Sequence, residues 1–431
     1  MPMRILLVNP PNSGRSIPEE RYGITSLKQI FRGEPLGLEV LAASLSKHEV
    51  RILDLKVVPQ LLEETLELFA PDIVAFTAMT CEAQAVLQLA SQVRACDERI
   101  LITVGGVHAS SDPEFFNREM IDWIIIGLGV QSFPLLAEAL ERGLLVEIDG
   151  VARSQAGKKL VYRPRSFSQD DLLTISPRYD LVHEYRPSYI LETLGLQLGF
   201  VSTAAGCPFD CSFCCIGPLT GGRYFTAKIE NVIRDIQRVP TPVIRLVDAN
   251  TFGKPKHAEE LARAIGHYGI KKQFIADVRS DTVVLHPQLM RQWREIGLRA
   301  VIIGFEEIDD SALGAMNKKN SAATNKHAIE ILHDLGITIV GDFIISPDYR
   351  EEQFERLDAF VQAQAIELPM YTVLTPLPGT ALHREVRDQI ILDDLDYYTL
   401  TNAVLPTYLD EQLFYQRYAD LLAKGHRSAK V

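Results

Sequence analysis

The strongest constraint on the fold is an alternation that runs through the first 145 residues. Short apolar runs recur at "RILLVN" (4–9), "VRILDL" (50–55), "DIVAFT" (72–77), "ILITVG" (100–105) and "DWIIIG" (122–127). Each is too short for a helix, rich in β-branched residues and closed by Gly, Asn, Asp, Leu or Thr, which reads as a buried parallel strand. Between them, "PLGLEVLAASLSKH", "PQLLEETLELFA", "AQAVLQLASQVRAC" and "SFPLLAEALERG" carry helical spacing. Five strands alternating with helices predict a doubly wound open sheet, which takes ligands beyond the carboxyl ends of its strands. The loops there are "NPPNSG" (9–14), "TAMTCE" (77–82), "GGVHASSDP" (105–113) and "GLGVQS" (127–132). Neither G-x-G-x-x-G nor a P-loop is among them, so glycines alone leave ordinary βα turns as the other reading.

After a polar, proline-punctuated stretch the alternation resumes. Strands are expected at "LGFVSTA" (198–204), "PVIRLVD" (242–248), "QFIADV" (273–278), "RAVIIGF" (299–305), "TIVGDFII" (338–345) and "MYTVLTP" (370–376). Six β/α units suit a barrel-like parallel sheet with functional residues on the loops after its strands. The expected organisation is an α/β domain over 1–145, a hairpin and linker over 146–190, the barrel over 191–380 and a short, mainly helical segment over 381–431. The Tyr and Leu spacing of that last segment suits core packing, with a cover over the barrel mouth as the alternative.

The 431 residues carry a formal charge of −12, which disfavours a nucleic-acid or anionic-membrane surface. No run is long and apolar enough for a membrane span, and "MPMRILLVNPP" lacks a signal-peptide build. These features point to a cytoplasmic protein, where clustered cysteines bind metal or do chemistry more often than they form disulfides. Four of the six cysteines, Cys207, Cys211, Cys214 and Cys215, fall within "GCPFDCSFCCIG" (206–217), on the loop after the first barrel strand. Thiolates suit iron or zinc, and one short loop can wrap three sulfurs around a compact centre. Structural zinc more often uses two Cys-x2-Cys pairs, and here only the isolated Cys81 and Cys96 remain. Adjacent Cys214 and Cys215 do not readily aim both sulfurs at one centre, so Cys215 is read as a packing residue. Zinc and a disulfide stay open as alternatives.

"CPFDCSFC", with the aromatic Phe213 before its last cysteine, resembles the cluster motif of the radical S-adenosylmethionine (SAM) superfamily. The resemblance implies that Cys207, Cys211 and Cys214 hold a [4Fe–4S] cluster whose open iron takes SAM. One electron, from a flavodoxin- or ferredoxin-type donor, then cleaves SAM to methionine and a 5′-deoxyadenosyl radical. Further segments resemble the family in order: "GGRYFTAKIENVIRDI", "RLVDANTFGKP", "ADVRSDTV", "VIIGFEEIDDSALGAMNKK" and "TVLTPLPGTAL". They imply SAM contacts at Phe213, Asp248, Arg279, Glu306 and Pro376. On the residues alone, Arg279 has Asp281 as an alternative partner, and Glu306, Glu307, Asp309 and Asp310 also fit a solvated acidic turn.

The first half resembles the cobalamin-binding domains fused to such barrels, through "VNPP", "PLGLEVLAASL", "DIVAFTAMT", "VGGVHASSDPEFF" and "DWIIIGLGVQSF". This implies a corrin held by Asn9, Pro10, Thr77, Thr80, Gly105, Gly106, His108, Gly127 and Gly129. The chain departs from the pattern where an acidic "GEGE" loop becomes "GLGV" (127–130). It also has no Asp-x-His-x-x-Gly, so no histidine is marked as a lower cobalt ligand. His108 is read as a hydrogen-bonding partner of the nucleotide tail or as a turn cap, and a domain that binds no corrin stays open. The implied activity is methylation of an unactivated carbon in a small molecule, lipid or peptide. A tetrapyrrole-type oxidative cyclase or a rearrangement enzyme is the alternative, and a cobalamin- or redox-sensing binding protein is the reading from another class. Methylthiotransferases carry three further cluster cysteines, which this chain lacks.

Overall fold

Strand β1 (Arg4–Asn9) is buried on both faces from Ile5 to Asn9, as a central strand of a doubly covered sheet must be. It anchors a six-stranded sheet with β2 (Glu49–Asp54), β3 (Ile73–Thr77), β4 (Leu101–Gly105), β5 (Trp123–Ile125) and β6 (Val151–Arg153). The order is β2-β1-β3-β4-β5-β6. Strands β1 to β5 run parallel, with Leu7 in register with Ile52 on one side and Ala75 on the other. Connections leave β1 in opposite directions, so a crevice opens at the carboxyl ends of β1 and β3. The computed structural model describes residues 2–25, 33–144, 147–165, 174–191 and 196–428. It divides into two compact units. Unit 1 is Met1–Gly14, Arg32–Tyr189 and Pro218–Gly221; unit 2 is Arg15–Phe31, Ile190–Gly217 and Gly222–Val431.

The stretch expected to form a hairpin does turn back on itself, with Lys158 N bonded to the Gln155 carbonyl at 3.0 Å and Gly150 N to the Arg163 carbonyl at 2.8 Å, but among the described residues it forms no two-stranded ladder of its own. Of its described residues only Val151–Arg153 forms a strand, and its partner is β5, antiparallel, rather than a neighbour within the stretch. The linker lies partly outside the described residues. Its described part is built into unit 1: Tyr179, Val182, Arg186 and Tyr189 are buried. Tyr189 Oη donates to Asp54 Oδ2 at 2.9 Å, and Asn9 Nδ2 donates to Asp54 Oδ1 at 2.8 Å. That buried triad is satisfied at every carboxylate oxygen, as buried polar groups must be.

Unit 2 holds a seven-stranded sheet, ordered β15-β14-β13-β12-β11-β8-β7. Its members are β7 (Ile190–Leu191), β8 (Leu196–Val201), β11 (Val243–Leu246), β12 (Gln273–Val278), β13 (Leu298–Glu306), β14 (Thr338–Ile345) and β15 (Leu368–Val373). Strand β7 is antiparallel to β8, and the other six run parallel and curl into a half-barrel. Two short strands between β8 and β11, β9 (Ala204–Gly206) and β10 (Tyr224–Thr226), pair antiparallel outside this sheet. Side chains alternate between faces with period two. Phe274 meets Trp293 of the helix Pro287–Glu295, and Phe343 meets Phe360 of the helix Glu351–Ala363. Those contacts mark the outer, helix-covered face. Asp277, three positions from Phe274, and Gly304 and Asp342, one position from Phe305 and Phe343 respectively, which touch each other, therefore lie on the concave face.

The C-terminal helix Glu411–Ser428 buries Phe414, Tyr415 and Tyr418, and Tyr418 Oη donates to the Tyr371 carbonyl on β15 at 2.9 Å. Its aromatic spacing is core packing. A short helix from the start of the chain, Ile17–Tyr22, belongs to the same unit. Its first N–H donates to Asn402 Oδ1 at 2.8 Å, and Arg21 pairs with Glu411 at 2.9 Å.

Candidate functional site

The pairing of β9 with β10 sets Gly206 opposite Tyr224, closing the base of the loop that carries all four clustered cysteines. Asp248, just past β11, fixes the strand leading into it. Its carboxylate accepts from Thr203 N (2.7 Å), Thr203 Oγ1 (2.6 Å), Ala204 N (2.8 Å) and Ser202 Oγ (3.2 Å). Burial pushes this carboxyl upward in pKa, against those hydrogen bonds. Asp248 thus holds the loop's entry rather than offering an open carboxylate.

Within the loop, Cys214 N donates to the Cys211 carbonyl at 3.1 Å, which folds the Cys-x2-Cys portion into a turn. Ser212 is clamped from both sides. Its N–H donates to the Met316 carbonyl at 3.0 Å, and its carbonyl accepts from Leu382 N at 2.9 Å. Asn317 Nδ2 and Lys319 Nζ bind the Asp210 carbonyl (3.0 Å) and carboxylate (2.5 Å). All four cysteines are free and half-buried. Burial raises the Cys214 thiol to about 11, and charge repulsion from Cys215, Cys211 and Cys207 adds to it. Burial likewise raises Cys211, opposed by the positive charges of Lys318 and Arg279. The mutual repulsion reaches Cys214 from all three other cysteines, and the two cations stand beside Cys211. Cys215 is raised by burial alone. Phe213, half-buried, stands between Ser212 and Cys214 in the chain.

Arg279 follows β12 and is almost wholly buried. It forks onto Asp281, Nε to Oδ1 and Nη2 to Oδ2 both at 3.0 Å, and also donates to the Lys318 carbonyl at 3.0 Å. Its guanidinium lies 3.6 Å from the centroid of Phe209, inside the cysteine loop. The Asp281 pairing is therefore real, and through Phe209 the same guanidinium supports the loop. Glu306 ends β13 with φ of +62°, a left-handed conformation costly for a residue with a Cβ. Lys318 Nζ holds its Oε1 at 2.5 Å, with both side chains buried. A Cβ on Gly304 would lie 2.3 Å from that oxygen, so only glycine leaves the carboxylate its place. Neighbouring Glu307 is buried and accepts from Tyr349 Oη. Of the acidic turn, only Asp309 and Asp310 match the solvated reading, and Asp309 caps the helix Asp310–Ala315. Pro376 is buried just after β15.

The expected corrin contacts lie in unit 1 at and just beyond the carboxyl ends of β1 (Asn9, Pro10), β3 (Thr77, Thr80), β4 (Gly105, Gly106, His108) and β5 (Gly127, Gly129). Gly106 has φ of +95°, and a Cβ there would stand 2.6 Å from Thr77 Oγ1 and 2.8 Å from Ala78 N. Glycine lets the loops after β3 and β4 touch. Ser110 ties the next pair, accepting from Gly127 N at 2.8 Å and donating to the Gly106 carbonyl at 2.7 Å. His108 is fully buried edge-on to Phe115 and Phe116, and burial lowers it to about 4, so its ring is neutral. Among the described residues neither ring nitrogen has a hydrogen-bond partner, nor do the buried hydroxyls of Thr103 and Ser132. The Asn9 amide is taken up by Asp54.

Family models for a B12 binding domain and for the radical SAM superfamily match residues 28–137 and 201–361. The hopanoid C-3 methylase of Methylococcus capsulatus is 32% identical over 90% of this chain and 75% of the methylase. The chain belongs to the cobalamin-binding radical SAM enzymes. An anaerobic magnesium-protoporphyrin IX monomethyl ester cyclase of Cereibacter sphaeroides is 26% identical over 80% of this chain and 58% of the cyclase. Among solved structures, the radical SAM methyltransferase TsrM of Kitasatospora setae, with cobalamin and a [4Fe–4S] cluster bound, superposes with a TM-score of 0.71. It covers 98% of this chain and 91% of its own, at 17% identity, and so speaks to the fold.

The cofactors of this radical SAM enzyme are a [4Fe–4S] cluster, SAM and cobalamin. The residues present fit the cluster. Among the described residues no three His, Cys, Asp or Glu converge as ligands of a single ion. A four-iron cluster asks for something different, since each thiolate meets its own iron and the sulfurs stand further apart. In unit 1 the glycine contact between the loops after β3 and β4, and the buried His108 with no hydrogen-bond partner among the described residues, are compatible with a large ligand with a polar tail. No helix among the described residues is long and apolar enough to cross a membrane. Sequence reasoning missed Lys318, Phe209 and the concave-face residues Arg245, Asp277 and Asp342. For Lys318 a signal existed in its place within the quoted "MNKK", twelve residues after Glu306.

Proposed function

We propose that this enzyme methylates an unactivated carbon of an apolar polycyclic lipid of the hopanoid type. The observation that carries the reading is the 32% identity to a hopanoid C-3 methylase, which spans both units in one alignment. A hopanoid C-2 methylase of Rhodopseudomonas palustris, 26% identical over 81% of this chain, supports it. So does the concave face of the half-barrel, where Ile302, Val340, Ile344 and Met370 give an apolar wall. When bound, the cluster and SAM supply a hydrogen-abstracting radical, and cobalamin supplies a methyl carrier.

The chain's own residues hold and shield. Cys207, Cys211 and Cys214 would ligate the cluster, with Cys215 packing beside them. Arg279 and Asp248 fix the loop that carries the ligands. Glu306, Phe213 and Pro376 would contact SAM. Asn9, Pro10, Thr77, Thr80, Gly105, Gly106, His108, Gly127 and Gly129 would line the corrin crevice, Asn9 and Pro10 through backbone. A flavodoxin- or ferredoxin-type protein would deliver electrons in the cytoplasm.

The cyclase relatives favour a second reading, oxidative ring formation, which consumes no methyl group. The test is to supply the reconstituted enzyme, reductant and a hopanoid with SAM carrying a deuterated methyl group. Methyl transfer puts three deuterons on the lipid and forms S-adenosylhomocysteine together with 5′-deoxyadenosine. An unlabelled product with a new ring, formed without S-adenosylhomocysteine, would establish the cyclase reading instead.

A further inference from the structure

Five charged side chains meet on the concave face of unit 2: Arg245 on β11, Asp277 on β12, Glu306 on β13, Asp342 on β14, and Lys318 from the segment after β13. Four of them are paired. Arg245 forms an ion pair with Asp277, and Lys318 holds Glu306 at 2.5 Å. Asp342 makes no hydrogen bond and no ion pair among the described residues. Its strand neighbours Gly341 and Phe343 face the helices, so its carboxyl points into the half-barrel, where part of it is open. Along the sheet it stands in register with Gly304, which has no side chain, and with Met370, which carries no charge. Three carboxyl groups thus share two cations, and the unmatched one is Asp342.

This face lacks one positive charge, and SAM brings one that cannot be titrated away, its sulfonium. The Lys318–Glu306 pair joins the two places, because Lys318 lies in the segment whose Met316, Asn317 and Lys319 bind Ser212 and Asp210 of the cysteine loop. We propose that Asp342 is the counter-charge for the SAM sulfonium and gives up its proton when SAM binds. No electron moves in this step: the carboxyl O–H bond breaks, its pair stays on oxygen and the proton passes to solvent. Every charged group facing Asp342 enters the balance. Burial, then Glu306 and Asp277, push its carboxyl up to about 8, against Arg245 and Lys318. Without ligand it is therefore mostly protonated at pH 7, and a nearby cation favours its ionised form.

The inference concerns SAM binding and stands apart from methyl transfer, so the measurement reads binding alone. SAM and S-adenosylhomocysteine, whose sulfur is uncharged, are each titrated calorimetrically into the anaerobic, cluster-loaded, unreduced full chain. Buffers of different protonation enthalpy then give the protons released. Any proton lost by the ligand's own amine is nearly equal for the two at pH 7, where both amines are mostly protonated, and there it cancels in the difference. At pH 7 SAM should release close to one more proton than S-adenosylhomocysteine, and the ratio of the two affinities should rise nearly tenfold per pH unit up to about pH 8 and then level off. In Asp342→Asn, with iron content unchanged, the difference in released protons should fall to near zero and the pH dependence should flatten. Equal proton release by the two ligands in the wild type overturns the proposal without needing any variant. A difference that persists undiminished in Asp342→Asn overturns it as well.

Discussion

Glu306 is where local strain and local chemistry coincide. Its left-handed backbone, its buried ion pair with Lys318 and the missing side chain at Gly304 hold one another in place. A Gly304→Ala Cβ would drive the Glu306 carboxylate off Lys318. The expected result is a fold that survives with a stability loss of about 1–3 kcal/mol and at least tenfold weaker SAM binding, read by urea unfolding and by SAM titration. His108 offers a second residue-level test. Its folded pKa, about 4, lies below the ordinary imidazole value, so the unfolded chain binds a proton that the folded chain refuses. Stability is therefore present above about pH 6.5 and is lost as the pH falls toward 4. Between pH 7 and pH 5 the loss should be about 2 kcal/mol, and His108→Phe should remove that slope. An unchanged slope in His108→Phe would place the titrating group elsewhere. Neither residue's environment is legible in sequence. "GFEE" shows an acidic turn, and nothing in it says that Glu306 is buried against a lysine while Asp309 is exposed. Asp342, Asp277 and Arg245 are hidden for a related reason. Each interrupts a strand whose two faces are otherwise apolar, so no alternation marks the concave side.

The cysteine loop is the element on which the chemistry depends, and it is held from outside itself. Asp248 grips Ser202–Ala204, Arg279 supports Phe209, and the segment Met316–Lys319 binds Asp210 and Ser212. Replacing Asp248 with Ala leaves two buried N–H groups and a hydroxyl without an acceptor, each costing about 1–3 kcal/mol. Asp248→Ala should still fold but lose iron markedly faster than wild type to a chelator, followed by absorbance. Retention equal to wild type would show that the loop does not need its staple. The strands themselves were legible because their runs are short, β-branched and regularly spaced. All eleven expected strands are present, most within two residues of their expected ends. The pairing of β6 with β5 and of β9 with β10 was not legible, because short strands of three residues leave no period to read.

Across the whole molecule, the two alternating patterns give two compact units, and each matches its own family model. What the pattern hid is that chain order is not spatial order. The helix Ile17–Tyr22 comes from the loop after β1 yet packs with Asn402 and Glu411 in unit 2. Contacts between residues nearly 400 positions apart leave no local signature. The cluster and SAM were legible through the resemblance of "CPFDCSFC" to the radical SAM motif, and cobalamin through the resemblance of the first half to corrin-binding domains; the cysteine spacing alone left zinc and a disulfide open. The central claim is that this loop supports reductive cleavage of SAM. The most direct measurement is 5′-deoxyadenosine formed by the anaerobically reconstituted, reduced chain. Wild type and Cys215→Ala should bind about four irons per chain and form the nucleoside, while the Ala variants of Cys207, Cys211 and Cys214 should form none. Wild type that carries its iron yet forms no 5′-deoxyadenosine, or Cys214→Ala that still forms it, would contradict the account.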